Sequence, residues 1–292
     1  MSWLTKIKAK LRLLDMIDLR LQKLQEAIGR IESRQLSQHV DFSLQESEFK
    51  VYSQWGEDGI IQKLLRHIKI ENKIFIEFGV ENYIESNTRF LLINNNWSGL
   101  VIDGSQENID YIKKDRIYWQ HNLKAECCFI TKDNINSVFA NNGIKGEIGI
   151  LSIDIDGNDY WVWEAIDTVD PAIVIVEYNA KFGNHRSVAI PYDENFVRGV
   201  AHYSMTYWGA SLSAFCKLAD RKNYALVGCN SAGNNAFFVR KDLMSLDLKT
   251  LTPAEGYIQS TFRESRDESG TLMFKTFEEE QKVLFSLPLV EV

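Results

Sequence analysis

Between Leu4 and Ile31 large apolar residues recur at steps of three and four. Leu4, Ile7, Leu11, Leu14, Ile17, Leu21, Leu24, Ile28 and Ile31 form the series, with no glycine before position 29 and no proline. That period predicts one long helix over residues 1–35. The steps run 3-4-3-3-4-3-4-3, a heptad-like seam with one extra three-residue step between Leu14 and Ile17. Three readings suit such a helix: an amphipathic element docked on its own domain, a self-associating coiled coil, or a membrane-surface contact. The length of the stripe ahead of the domain favours the coiled coil. Trp3, Lys6, Lys8, Lys10 and Arg12 suit an anionic surface, but acidic residues from Asp15 onward dilute that reading.

Residues 36–50 are polar and read as a linker. From there apolar runs alternate with helical patterns. Helix 57–67 leads to strand 73–80, and a helix through "SNTRFLLINN" leads to strand 98–104. Helix 106–114 is followed by strand 126–131, helix 133–141, strand 148–155, helix 159–166 and strand 172–178. Continuous apolar strands separated by helices predict a parallel sheet covered on both faces. Helix 209–221 then leads to "NYALVG" (223–228) and "AFFVR" (236–240), joined by the turn-rich "CNSAGNN", an antiparallel hairpin. An α/β sheet of five parallel strands closed by a hairpin resembles the seven-stranded Rossmann-like sheet of class I methyltransferases. The expected division is an N-terminal helix (1–35), a linker (36–50), the main domain (51–245) and a C-terminal extension (246–292).

Composition narrows the function classes. The 292 residues are 45 % apolar and 25 % charged, ordinary for a globular chain with a sizeable core. A net charge of −7 disfavours a broad nucleic-acid surface, which needs clustered Lys and Arg. Cys127, Cys128, Cys216 and Cys229 show no CxxC spacing, which favours a reduced, cytoplasmic compartment over a disulfide framework or a zinc site. No run of 18 apolar residues occurs, so membrane contact is expected only peripherally, through the N-terminal helix.

In doubly wound sheets ligands lie at the carboxyl ends of the strands. Strand one delivers Glu77 and Gly79, then a polar turn into a helix; glycine lets backbone approach a ligand closely. Strand two delivers Asp103, twenty-four residues after Gly79, where an acid suits the two hydroxyls of a ribose. Strand three delivers "ITKDNIN", with Asp133 and Asn134 as candidates for an adenine edge. A strand-end Asp is also an ordinary helix N-cap, so the order and spacing carry this reading rather than any single residue. A dinucleotide site is disfavoured, because G-x-G-x-x-G is absent and Glu81 would oppose a pyrophosphate.

"SQWGEDGII", "FIEFGVENYIESNT", "LVIDGS", "LSIDIDGNDYWVWEAI", "VIVEYNAKFG" and "GASLSAF" together resemble an FkbM-like family of S-adenosylmethionine-dependent methyltransferases, often linked to bacterial surface-glycan modification. The resemblance spans roughly residues 50–240. It implies S-adenosylmethionine as cofactor, with Glu77 and Gly79 beside its methionine part and Asp103 on its ribose. It also places Ser53, Gln54, Gly104, Ser105, Asp133 and Asn134 around it. One departure stands out: related sequences carry glycines where this chain has Glu81 and Tyr83, bulky side chains that would narrow the cofactor cleft.

"DIDGND" crowds Asp154, Asp156 and Asp159 into six positions. It is no EF-hand loop, since glycine stands fourth and position 12 is Ala165. Asp159 reads as a helix start and Asp154 as functional. Strand five adds Glu177, Asn179 and His185. Neighbouring strand ends lie about 5 Å apart, so Asp154, Glu177 and Asn179 are candidate ligands for Mg²⁺ or Mn²⁺, as in the metal-dependent O-methyltransferases they resemble. Such a cation would orient and acidify an acceptor hydroxyl, with Asp156 or His185 as general base. A loop His at 185 is as readily a surface residue. His67, His121 and His202 read as structural, Trp161 and Trp163 as core or pocket wall, and "TYWGASL" (206–212) as pocket-shaping. The expected function is a metal-assisted O-methyltransferase acting on a sugar hydroxyl of a surface-polysaccharide precursor, within a homo-oligomer or assembly complex. Two rivals are a glycosyltransferase using the Asp-x-Asp pair and a scaffold that has lost activity.

Overall fold

The computed structural model describes residues 3–38 and 43–292. Five strands, β1 (Ile74–Phe78), β2 (Ser98–Asp103), β3 (Leu123–Cys127), β4 (Gly146–Ile153) and β5 (Val169–Glu177), run parallel. A two-residue strand β6 (Val188–Ala189) precedes the hairpin β7 (Tyr224–Cys229) and β8 (Asn235–Arg240), and β9 (Val290–Glu291) lies near the end. The sheet order is β3-β2-β1-β4-β5-β8-β7, with β8 antiparallel to both neighbours. This is the expected seven-stranded Rossmann-like sheet.

The strands are apolar on both faces because both are covered. Side chains alternate along each strand. Ile76, Leu100, Leu151 and Val174 pack on one side with α6 (Ile135–Asn141), α7 (Asp159–Ala165) and, further along the chain, α9 (Leu212–Arg221). Phe75, Val101, Ile150 and Ile173 pack on the other with α2 (Glu57–His67), α3 (Arg89–Asn94), α4 (Gln106–Lys114) and α5 (Arg116–Gln120). The edge strand β3 begins three residues before its expected start. Its residues alternate buried and exposed (Leu123, Lys124, Ala125, Glu126), so the apolar run "CCFI" marked the end of the strand and the turn beyond it.

The first helix, α1 (Trp3–Gln35), packs its C-terminal half on α2 and α3. The stripe that faces the domain is not the apolar one. Leu19, Gln22, Glu26, Gly29 and Ser33 turn inward and are buried or half-buried. Ser33 Oγ donates to Gln62 (3.2 Å), Tyr52 OH donates to Glu26 (2.9 Å), and Gln25 donates to the Val51 carbonyl. Gly29 permits this approach, since a Cβ there would sit 2.4 Å from Val51 Cγ2. The helix is thus docked on its own domain, one of the three readings, through a mostly polar stripe rather than its apolar seam. The side chains of Leu4 and Lys6, and residues 39–42 of the expected linker, lie outside the described residues. The chain beyond residue 42 is packed: Leu44 is buried and Gln45 Nε2 donates to the Cys229 carbonyl (2.6 Å).

The C-terminal extension is likewise part of the domain. After the short α8 (Arg198–Ala201), helices α10 (Pro253–Gly256) and α11 (Phe277–Leu284) each start at a capping box, Thr252 with Glu255 and Thr276 with Glu279. Glu280 of α11 forms a buried ion pair with Lys181 (2.8 Å), and β9 pairs with β6. No helix among the described residues is long and apolar enough to cross a membrane.

Candidate active site

Strand register sets the site. Phe78 pairs with Ile102 and Ile153, and Ile153 with Val176, so β1, β2, β4 and β5 end at one level. Glu77, Gly79, Asp103, Asp154 and Glu177 therefore collect along one edge of the sheet. A cavity of about 480 Å³ opens there. Gly79 has φ +77°, and a Cβ on it would lie 1.4 Å from the Asp154 carbonyl oxygen, so the β1 and β4 ends come this close only because residue 79 has no side chain. Its constraint is strand against strand.

Each acid has a distinct setting. Glu77 accepts from the backbone N–H groups of Asn87 (2.8 Å) and Thr88 (3.1 Å) and from Thr88 Oγ1 (2.5 Å), fixing the loop that leads into α3. Burial raises its pKa, and these bonds work the other way. Asp103 accepts from the N–H of Glu81 (2.8 Å) and Ser105 (2.8 Å) and from Asn108 Nδ2 (3.0 Å), which holds its carboxylate at the cavity wall. Asp159 accepts from Ile155 N–H and Gly157 N–H, both 2.9 Å. Burial pushes Asp159 up to about 6 even so. It is the helix-start residue that was expected.

Asp154 and Glu177 differ from these. Burial pushes both carboxyls well above the usual carboxylate range; the charges of Asp156, Asp159 and Glu77 add to it at Asp154, and those of Asp154, Asp156 and Asp159 at Glu177. Glu177 Oε2 is buried without a hydrogen-bond partner among the described residues. Arg198 is the cation nearby: it pairs with Asp156 (2.6 Å) and Glu264 (2.7 Å), donates from Nε to the Met205 carbonyl (2.8 Å) and lies over the Trp208 ring (4.8 Å). Burial alone would lower its pKa, but Glu264, Asp156 and Glu177 raise it.

Glu177 and Arg198 also line a second cavity of about 260 Å³ beside the first, with Gln54 shared. Trp55 and Phe262 pack on its wall with ring centroids 4.9 Å apart and planes tilted by 37°, and the Nε1 of buried Trp208 there has no acceptor among the described residues. Ser260, Phe262 and Glu264 bring the C-terminal extension into this wall.

Of the expected cofactor residues, Gln54, Glu77, Gly79, Asp103 and Gly104 line the first cavity. Ser53 stands behind it, bonded to Asp58 Oδ2 (3.0 Å), and Ser105 caps α4. Asp133 and Asn134 are not among the lining residues. Asn134 instead donates to the Phe129 carbonyl (2.8 Å) and braces the turn that presents half-exposed Phe129 to the cavity. Asn179 is corrected as a cation ligand: its amide donates to the carbonyls of Thr206 (2.9 Å) and Trp208 (3.0 Å), and its Oδ1 accepts from Lys181 N–H (3.1 Å). Asp154 and Glu177 are the two candidate ligands left, and the described residues hold no cluster of three His, Cys, Asp or Glu fit for a metal. His185 lines a separate shallow groove with Arg186 and Cys216, so it is corrected as a base. Asp156 faces Arg198, which occupies its carboxylate.

Glu81 (φ +47°) and Tyr83 (φ +61°) both adopt the left-handed conformation that glycine favours. The expected obstruction by Tyr83 is corrected: its side chain is fully buried, with OH bonded to Thr88 Oγ1 (2.9 Å) and the Arg89 guanidinium over its ring. Three residues escaped the sequence reading. Phe129 looked like strand interior, while Arg198 and Phe262 lie in segments with no period to mark them.

No family model matches the sequence, and a search of the curated proteins finds no match. Among solved structures, the chain is similar to the N-terminal domain of EvdMO1 with SAH bound, at 9 % identity over 72 % of this chain and 94 % of that one, TM-score 0.41. An S-adenosylmethionine-dependent methyltransferase from Clostridium acetobutylicum matches at 12 % identity over 63 % and 89 %, TM-score 0.39. M. capricolum TrmK in complex with S-adenosyl-homocysteine matches at 12 % over 66 % and 73 %, TM-score 0.36. At such values the fold rests on the strand order of this chain.

Proposed function

We propose that this protein is an S-adenosylmethionine-dependent O-methyltransferase whose acceptor is a hydroxyl on a sugar-like ring. The observation that carries the reading is Glu177, a buried carboxylate with an unpartnered oxygen in the wall shared by two adjoining cavities. The first cavity is of ligand size and has the parts the cofactor needs. Asp103 lies at the end of β2 for a ribose, Phe129 and Ile130 offer an apolar slot for a base, and the acidic lining tolerates a positive charge. The cofactor would supply a methyl group on a cationic sulfonium. The second cavity suits a small hydroxylated ring. Trp55 and Phe262, packed at a tilt, offer apolar surface, Glu177 Oε2 wants a donor, and Trp208 Nε1 wants an acceptor, which neighbouring hydroxyls supply together.

Asp154 and Glu177, raised toward neutrality, are placed to take the acceptor proton as its oxygen attacks. Catalysis then consists of positioning plus deprotonation. The donor set does not fit a resident divalent cation: Asn179 lines only the second cavity, apart from Asp154, and its Oδ1 already accepts from Lys181 N–H.

Calorimetry with S-adenosylmethionine and with its demethylated product tests the reading, and Asp103→Ala should weaken both at least tenfold. Binding of a nucleotide sugar with Mn²⁺ in their place would favour the glycosyltransferase alternative, and binding of neither would favour the scaffold. Mass spectrometry of surface glycans with and without the gene, reading the loss of one methyl group, tests the acceptor class.

A further inference from the structure

The docking of α1 leaves its apolar seam facing away from the domain. Leu14, Ile17, Leu21, Leu24, Ile28 and Ile31 are each between 44 % and 60 % exposed. The stripe that meets the domain, Leu19 to Ser33, follows the same three-and-four spacing but lies roughly 150° around the helix, at about 100° per residue. One helix thus carries two stripes, a small and polar one spent on its own domain and an apolar one spent on nothing among the described residues. We propose that the apolar seam is the contact surface for another copy of the same helix, so that the protein assembles through α1.

The pattern favours a second copy over other occupants. A sustained 3-4 repeat is what a partner helix of the same repeat selects, knob into hole, and identical chains match it in a symmetric contact. The area is adequate: twelve Leu and Ile side chains, six from each copy, losing roughly 60 Å² apiece remove about 700 Å² from water. Flanking stems bring that to the ~1,000 Å² scale of a specific contact. An anionic membrane fits less well, since Asp15 and Asp18 flank Leu14 and Ile17, and Glu32 adjoins Ile31. Because the two stripes point nearly opposite ways, self-association leaves the docking of the helix on its domain undisturbed.

Sedimentation velocity on the full chain at ~20 µM, an order of magnitude chosen to populate a specific interface, tests this. Wild type should sediment at two or more chain masses. L21E/L24E should sediment as one chain with an unchanged near-ultraviolet spectrum, and Lys23→Glu, off the seam, should match wild type. A monomeric wild type, or an L21E/L24E variant that stays assembled, overturns the proposal. Flotation of a monomeric wild type with anionic vesicles would assign the seam to lipid instead.

Discussion

At Gly79 the absence of one carbon decides whether two strand ends meet. Gly79→Ala forces a Cβ into the Asp154 carbonyl at positive φ, and should cost about 3 kcal/mol or more, read by chemical denaturation. Glu81 is the reverse case, a side-chain-bearing residue in a glycine conformation. Glu81→Gly should stabilise the fold by up to about 1 kcal/mol while keeping the N–H bond to Asp103. The acid pair gives a pH prediction. Carboxyls whose pKa is raised by folding bind protons more tightly in the native state than in the unfolded one, so their contribution to stability is present at low pH and lost as pH rises through the raised values. Asp154→Asn with Glu177→Gln should therefore raise the melting temperature more at pH 8 than at pH 5, while removing the proposed base.

At the scale of elements, the apolar strands and their alternation with helices were plain in the sequence, and so was the strand-end position of Asp103, Asp154 and Glu177. Local period and strand order carry that information. What escaped was set by contacts distant in sequence. The docking face of α1 is mostly polar, so its hydropathy gave no sign of it, and only the proximity of Val51 and Phe90 explains Gly29. Gly29→Leu should expel the last two turns of α1 from their seat at a local cost of about 1–3 kcal/mol, read as faster amide exchange over residues 25–35. The commitment of the Asn179 amide was invisible for a similar reason, since its partners Thr206 and Trp208 lie nearly thirty residues on.

For the whole molecule, the C-terminal extension completes the site rather than trailing from it. Tyr178 OH donates to the Ile258 carbonyl (2.7 Å), and buried Lys181 is neutralised by Glu280 of α11. Glu280→Ala leaves that cation buried and unpaired, and should cost about 3–5 kcal/mol in global unfolding. Arg198 joins the Asp156 loop to Glu264 of the extension and lines both cavities, so on the proposed function Arg198→Ala should raise the acceptor KM several-fold, read by steady-state kinetics at saturating donor.

Glu177 belongs to the walls of both cavities, and this makes the two binding events thermodynamically linked. A positive charge arriving in the first cavity stabilises the deprotonated form of the Asp154–Glu177 pair, so donor binding should release protons, measurable as a dependence of calorimetric heat on buffer ionisation. Linkage is reciprocal: whatever the first ligand adds to the affinity of the second, the second returns to the first. On the proposed function, seating the methyl donor favours the deprotonated, basic form of the acid pair, so proton abstraction is coupled to the presence of the donor.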